Sequence, residues 1–223
     1  MFKRFLKIII GICLLPVCFG SSWAFYDLLQ SLGSLQQIML YFLSGIGLYF
    51  IMYFSGLKLN FLYVLGHEST HALLSLLCGG KIKSFKVSSQ GGSVATTKNN
   101  VLISLGPYFI PIYTALLSAC FFCIAYFYSS IYDYVQIYIF LLGWTISFHY
   151  FMTVHSLRIE QPDLSENGYL FSLTLIYLIN LSIIALLLGI LFKQVEILGF
   201  FRQSGLYTRT IIMFLWEKVD NFK

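Results

Sequence analysis

Six long apolar runs dominate the chain, and they restrict the fold more than any other feature. A helix needs about 20 predominantly apolar residues to cross the hydrocarbon core of a bilayer. The runs cover Phe5 to Gly20 and a little beyond, Gln37 to Gly56, Asn60 to Cys78, Val101 to Tyr128, Tyr134 to Val154 and Tyr169 to Phe192. They are apolar all round, whereas strands of a membrane barrel alternate apolar and polar residues. In lipid each run must satisfy its own backbone groups, which makes it a helix. Composition agrees. Of the 223 residues 58% are hydrophobic and 10% charged, against about 25% charged in a soluble domain. Too little charge is present to cover a water-facing surface, which excludes a soluble globular enzyme, a disordered tail and a coiled-coil rod. The expected fold is all-α and integral to a membrane. A polytopic bundle of about six transmembrane helices occupies residues 1–192, and the tail 193–223 lies at the interface. The apolar stretch Ile211 to Trp216 in that tail is too short to span.

The net charge of +5 is spread between the runs, so anionic headgroups are the expected polyanion and nucleic acid is not. Lys3, Arg4 and Lys7 precede the first run, and Gly20-Ser21-Ser22 follows it, in the manner of a secretory signal. Trp23 to Leu29 stays apolar and aromatic, so the expectation is an uncleaved first span. The five cysteines form no framework of the small secreted type. Cys120 and Cys123 make a CxxC inside a Phe-rich run, read as apolar packing in preference to metal or redox work. Two segments between runs carry information. Lys81 to Val87 and Val94 to Thr97 are short β-prone stretches on either side of Gly91-Gly92, which predicts a hairpin turning at the glycines. Arg158 to Gly168 holds Glu160, Asp163 and Glu166, three of the nine acidic residues.

The third run contains Gly66-His67-Glu68-Ser69-Thr70-His71-Ala72, an H-E-x-x-H. On a helix, residues four apart share a face one turn apart, so both imidazoles can reach one metal ion. His67 and His71 would bind Zn²⁺, the ion would lower the pKa of its water, and Glu68 would take the proton. Ionisable groups in mid-span cost about 2–3 kcal/mol each on insertion scales and persist where they line a cavity or bind something. The bland alternative is a polar patch that holds helices together by hydrogen bonds. A catalytic zinc takes a third protein ligand, and the candidates are His149, His155, Glu160, Asp163 and Glu166. His149 could equally serve a helix–helix hydrogen bond. Asp163 with Glu166 three residues on could equally be a capping box.

On these residues the chain resembles the site-2 protease family of intramembrane zinc metalloproteases, closest to its small bacterial-type members without appended domains. The match rests on Gly66 to Leu73 inside a span. It continues with Cys78-Gly79-Gly80-Lys81, the polar stretch with Gly91-Gly92, and Leu105-Gly106-Pro107-Tyr108 opening the next run; it covers roughly residues 60–170. The resemblance implies a core of three helices around a zinc below the membrane surface. It also implies hydrolysis of a peptide bond in or near a transmembrane segment of a membrane protein or peptide substrate, in a bacterial cytoplasmic membrane. In the family an Asp from a later span completes the zinc site. The nearest counterpart is Asp163, in Pro162-Asp163-Leu164 where the family has Leu-Asp-Gly. A helical substrate must unwind before water can attack, and a strand edge near residues 82–96 could hold the unwound stretch extended.

Charge bias would place the basic N-terminus inside, whereas the resemblance places the stretch after the histidine helix inside, and with six spans the two conflict. Two rival readings complete the set: a non-catalytic relative that binds clients or metal, and a metal transporter. Glu68 argues against the first, since a binder needs no base. The sparse polar positions elsewhere in the spans argue against the second.

Overall fold

The computed structural model of the chain describes residues 2–33, 37–57, 59–159 and 161–221. Among them lie the helices α1 (Phe2–Ser31), α2 (Gln37–Phe54) and α3 (Asn60–Leu77). A two-stranded antiparallel sheet of β1 (Ile82–Ser88) and β2 (Gly91–Thr96) follows. Then come α4 (Val101–Leu105), α5 (Ile112–Phe127), α6 (Val135–Leu157), α7 (Pro162–Asn167), α8 (Tyr169–Leu191) and α9 (Ile197–Asp220).

Four of the described helices are long and apolar enough to cross a membrane: α1, α2, α8, and α6 with the 3-10 turn that leads into it. A fifth is reached if α4 and α5 count as one span, bent by 83°. About six were expected, and two runs account for the difference. Asn60 to Cys78 does form a helix, 18 residues long, but its polar centre leaves it short of the apolarity of a span. Val101 to Tyr128 breaks at Gly106–Tyr108, a 3-10 turn. Pro107 cannot donate a backbone hydrogen bond, Pro111 lies just beyond, and each biases the residue before it away from helix.

The chain divides into two compact units, residues 1–34 with 162–223, and residues 35–161. In the first, α1 packs between α8 and α9. Lys7 donates to the buried Asn167 side chain at 2.7 Å. The tail from Lys193 onward folds largely as α9, a helix of 24 residues lying along α1, where Tyr207 donates to Asp27 at 2.6 Å. A Cβ on Gly20 would strike Thr208, so the backbones of α1 and α9 touch there.

In the second unit α2 and α6 run side by side in the same direction. Phe42 meets Gly143, Gly45 meets Phe140, and Tyr49 meets Phe148. A Cβ on Gly45 would run into the carbonyl of Phe140, and one on Gly143 into that of Phe42. Paired small residues give this close approach in membrane helices, where packing and not the hydrophobic effect drives association. Between them and α3 sits an aromatic cluster of Tyr49, Phe148 and Met152 with Tyr53, Tyr63 and Tyr113 around it. From Cys78 the chain turns through Gly79, in the left-handed region at φ +75°, into the hairpin. The hairpin turns at Ser89-Gln90, and the expected turn glycines, Gly91 and Gly92, open β2 instead.

Candidate metal centre

The centre starts from α3. Its outer thirds, residues 60–65 and 73–77, are apolar but for Asn60 and Ser75, and its middle places His67, Glu68 and His71 on one turn. The two imidazoles converge, with Nε2 of His67 and Nε2 of His71 3.3 Å apart. Two nitrogens bound tetrahedrally to zinc at about 2.0–2.1 Å stand about 3.3–3.4 Å from each other. The spacing therefore fits a shared ion. Nδ1 of His71 lies 2.7 Å from the carbonyl of Ile103. A carbonyl accepts only, so this ring nitrogen carries the proton and donates, leaving the Nε2 lone pair for a ligand. Nδ1 of His67 faces the Tyr63 hydroxyl at 3.5 Å, and the rings of His67 and Tyr108 meet edge to face.

The neighbours that hold these rings come from α4 and its turn. Asn100 caps α4, its side-chain oxygen accepting from the backbone N–H of Ile103 at 2.9 Å. That fixes the residue whose carbonyl orients His71. Leu105 and Tyr108 are fully buried. A Cβ on Gly106 would overlap the end of the Leu74 side chain, so this segment lies close on α3. Tyr113, from α5, donates to the Leu62 carbonyl at 2.5 Å and packs on Gly66.

Glu68 is buried, at 8% exposure. Its cover is β2: a Cβ on Gly92 would come within 2.7 Å of both Glu68 Cγ and Val64 Cγ1. The hairpin thus lies directly over the residue expected to act as base. Beside His67 is a cavity of about 20 Å³ lined by Tyr63, Gly66, Thr70, Tyr113 and His149 among others, enough for about one water.

The expected third ligands fall out differently. Asp163 is the second residue of α7, in its first turn. It is therefore not the N-cap, and the capping-box account does not describe it. His67 and His71 belong to the second unit and Asp163 to the first, and each side chain is of a kind that zinc accepts as a ligand. His149 instead shares the cavity wall with His67. His155 ends up in the last turn of α6, and Glu160 lies outside the described residues. Cys120 and Cys123 are free thiols on the outward side of α5, not packed in the core. Two members of the site escape sequence reasoning. The Ile103 carbonyl is backbone and has no residue signature. Tyr63 had one, since it stands four residues before His67 on the same helix.

Compared with protein-family models, with curated proteins and with solved structures, the chain matches none of them.

Proposed function

We propose that this chain is an intramembrane zinc metalloprotease of the site-2 protease type, hydrolysing a peptide bond in or near a transmembrane segment of a membrane protein or peptide. The observation that carries the reading is the convergence of the two H-E-x-x-H imidazoles, with His71 oriented by the Ile103 carbonyl and Glu68 buried beside them. His67 and His71 would supply two zinc ligands and, on the resemblance, Asp163 the third, a set of two nitrogens and one oxygen known in catalytic zinc sites. Zinc, when bound, contributes Lewis acidity toward water and the peptide carbonyl. Glu68 does the proton work, accepting a proton from the attacking water and delivering it to the leaving amine. Burial under β2 keeps its carboxylate away from bulk water. The hairpin offers main-chain donors and acceptors that can hold an unwound substrate segment as an added strand.

The test is zinc content and cleavage of a transmembrane-helix substrate, measured on the full chain in detergent. Wild type is expected to carry about one zinc per chain. His71→Ala and Asp163→Ala should lose or weaken metal. Glu68→Gln should keep the metal and lose cleavage by about 10²–10⁴-fold. Metal bound with no cleavage of any helical substrate would favour a metal- or client-binding protein. Full zinc retention in Asp163→Ala would reassign the third ligand.

A further inference from the structure

Where α6 ends, a crevice of about 360 Å³ opens on the second unit, lined by Tyr53, Phe54, Tyr150, Phe151, Val154, His155 and Arg158. We propose that it binds one anionic phospholipid, with the phosphate on Arg158 and His155 and an acyl chain along the aromatic wall.

The argument begins with depth. The apolar span that includes α6 ends at Leu157, and Arg158 is the next residue. Helix α2 runs parallel to α6 and ends at Phe54, so both helices stop at the same level. Tyr and Arg at that level are residues of the membrane interface, where headgroups meet hydrocarbon. The wall faces outward: Phe54 is 73% and Val154 50% exposed. An acyl chain can therefore lie on it without displacing protein. The volume is in the range of a ligand site.

Charge then selects the headgroup. A guanidinium pairs with phosphate oxygens through two parallel N–H bonds, and the imidazole of His155, one turn back on the helix, adds a donor. Stabilising the α6 C-terminus would account for one basic side chain there, at about 0.3–1 kcal/mol. It would not account for an open crevice with an aromatic floor beneath the charges. The chain as a whole carries +5, in keeping with an anionic partner. Basic pockets between membrane helices bind acidic headgroups by this chemistry. A peptide carboxylate could meet the same guanidinium and imidazole. The outward wall at the end of a span matches a lipid's continuous headgroup and tail better than a peptide's alternating polarity.

The experiment uses the full chain in neutral detergent with equal amounts of phosphatidylglycerol and phosphatidylcholine, and native mass spectrometry to read retained lipid. Wild type is expected to hold phosphatidylglycerol about tenfold in preference. The double variant His155→Gln with Arg158→Gln should hold the two lipids equally. Arg158→Lys keeps the charge and should keep a preference, which separates loss of the site from loss of the fold. An equal ratio in wild type, or an unchanged ratio in the double variant, would overturn the proposal. So would displacement of the lipid by millimolar inorganic phosphate, which would mark an anion site without a lipid. Displacement by an acidic peptide would overturn it in favour of a peptide site.

Discussion

A single hydrogen atom decides much of the chemistry at the centre of α3. Because His71 donates its Nδ1–H to the Ile103 carbonyl, its Nε2 carries the lone pair that a metal takes, with no tautomer change. Such outer partners tune metal affinity by about 10–100-fold. Asn100 holds Ile103 in place, so Asn100→Ala is expected to weaken zinc binding by about tenfold while leaving the helix fold intact, read by metal titration of the purified chain. Undiminished zinc affinity would show that the carbonyl is held by the rest of α4 alone. Gly92 gives a second residue-level expectation. A methyl there must move Glu68 or β2. Gly92→Ala should therefore keep zinc and lose about tenfold or more in kcat, because misplacing a catalytic group by about 1 Å is that costly. Equal loss of zinc and activity would mean the hairpin supports the ligands and not the base. The motif itself was plain in the sequence, since three ionisable residues in an apolar run have few uses. What surrounded it was not: the purpose of Gly92 is a close approach between a strand and a helix, and one sequence holds no trace of that.

At the scale of the element, legibility followed the source of each signal. Apolar runs are additive and local, so α1, α2, α6 and α8 were readable from hydropathy alone. The run from Val101 to Tyr128 was apolar throughout and was read as one helix, although Gly106-Pro107 and Pro111 marked the break. The hairpin's existence was legible from β-prone stretches around glycines, but its turn was misplaced because Gly91 and Gly92 serve packing. Pairing between helices was not legible at all. Gly45 and Gly143 stand in runs full of larger residues, and only the crossing of α2 with α6 explains them. Gly143→Leu is expected to destabilise the second unit by about 1–3 kcal/mol or more, since the added atoms meet backbone and cannot be absorbed by a side-chain shift. Thermal unfolding in detergent checks this. An unchanged midpoint would mean that the two helices separate at little cost.

For the molecule in its membrane, the route of the second unit settles which ends share a face. Helix α6 runs with α2, and α3 starts near their carboxy-terminal ends, where Leu59 and Tyr63 join Tyr53 around Phe148 and Met152. Asn100 and Lys98 contact Cys78 at the C-terminal end of α3, so α4 starts at that end. The chain then descends: Ile103 lies beside His71, Tyr108 beside His67, and Tyr113 beside Gly66 and Leu62. After the 83° bend it returns, with Thr114 bonded to Thr145, Ser118 to Tyr138, and Phe121 stacked on Tyr138, against the direction of α6. The α4–α5 pair thus dips in beside His67 and His71 and comes back to the end it left, as a re-entrant loop does. Irregular backbone at membrane depth is tolerated where protein buries it, which is the setting of Gly106–Tyr108. The hairpin and the turn at Ser129–Tyr134 should therefore lie on one face, and Leu57 and Arg158 on the other. Single cysteines at Ser89, Ser130 and Leu57, in a chain whose five native cysteines are replaced, test this with a membrane-impermeant thiol reagent. Ser89 and Ser130 should react from the same side and Leu57 from the other. Labelling of Ser89 and Ser130 from opposite sides would make α4–α5 a true crossing, with Glu68 then approached between spans and not from beneath a loop.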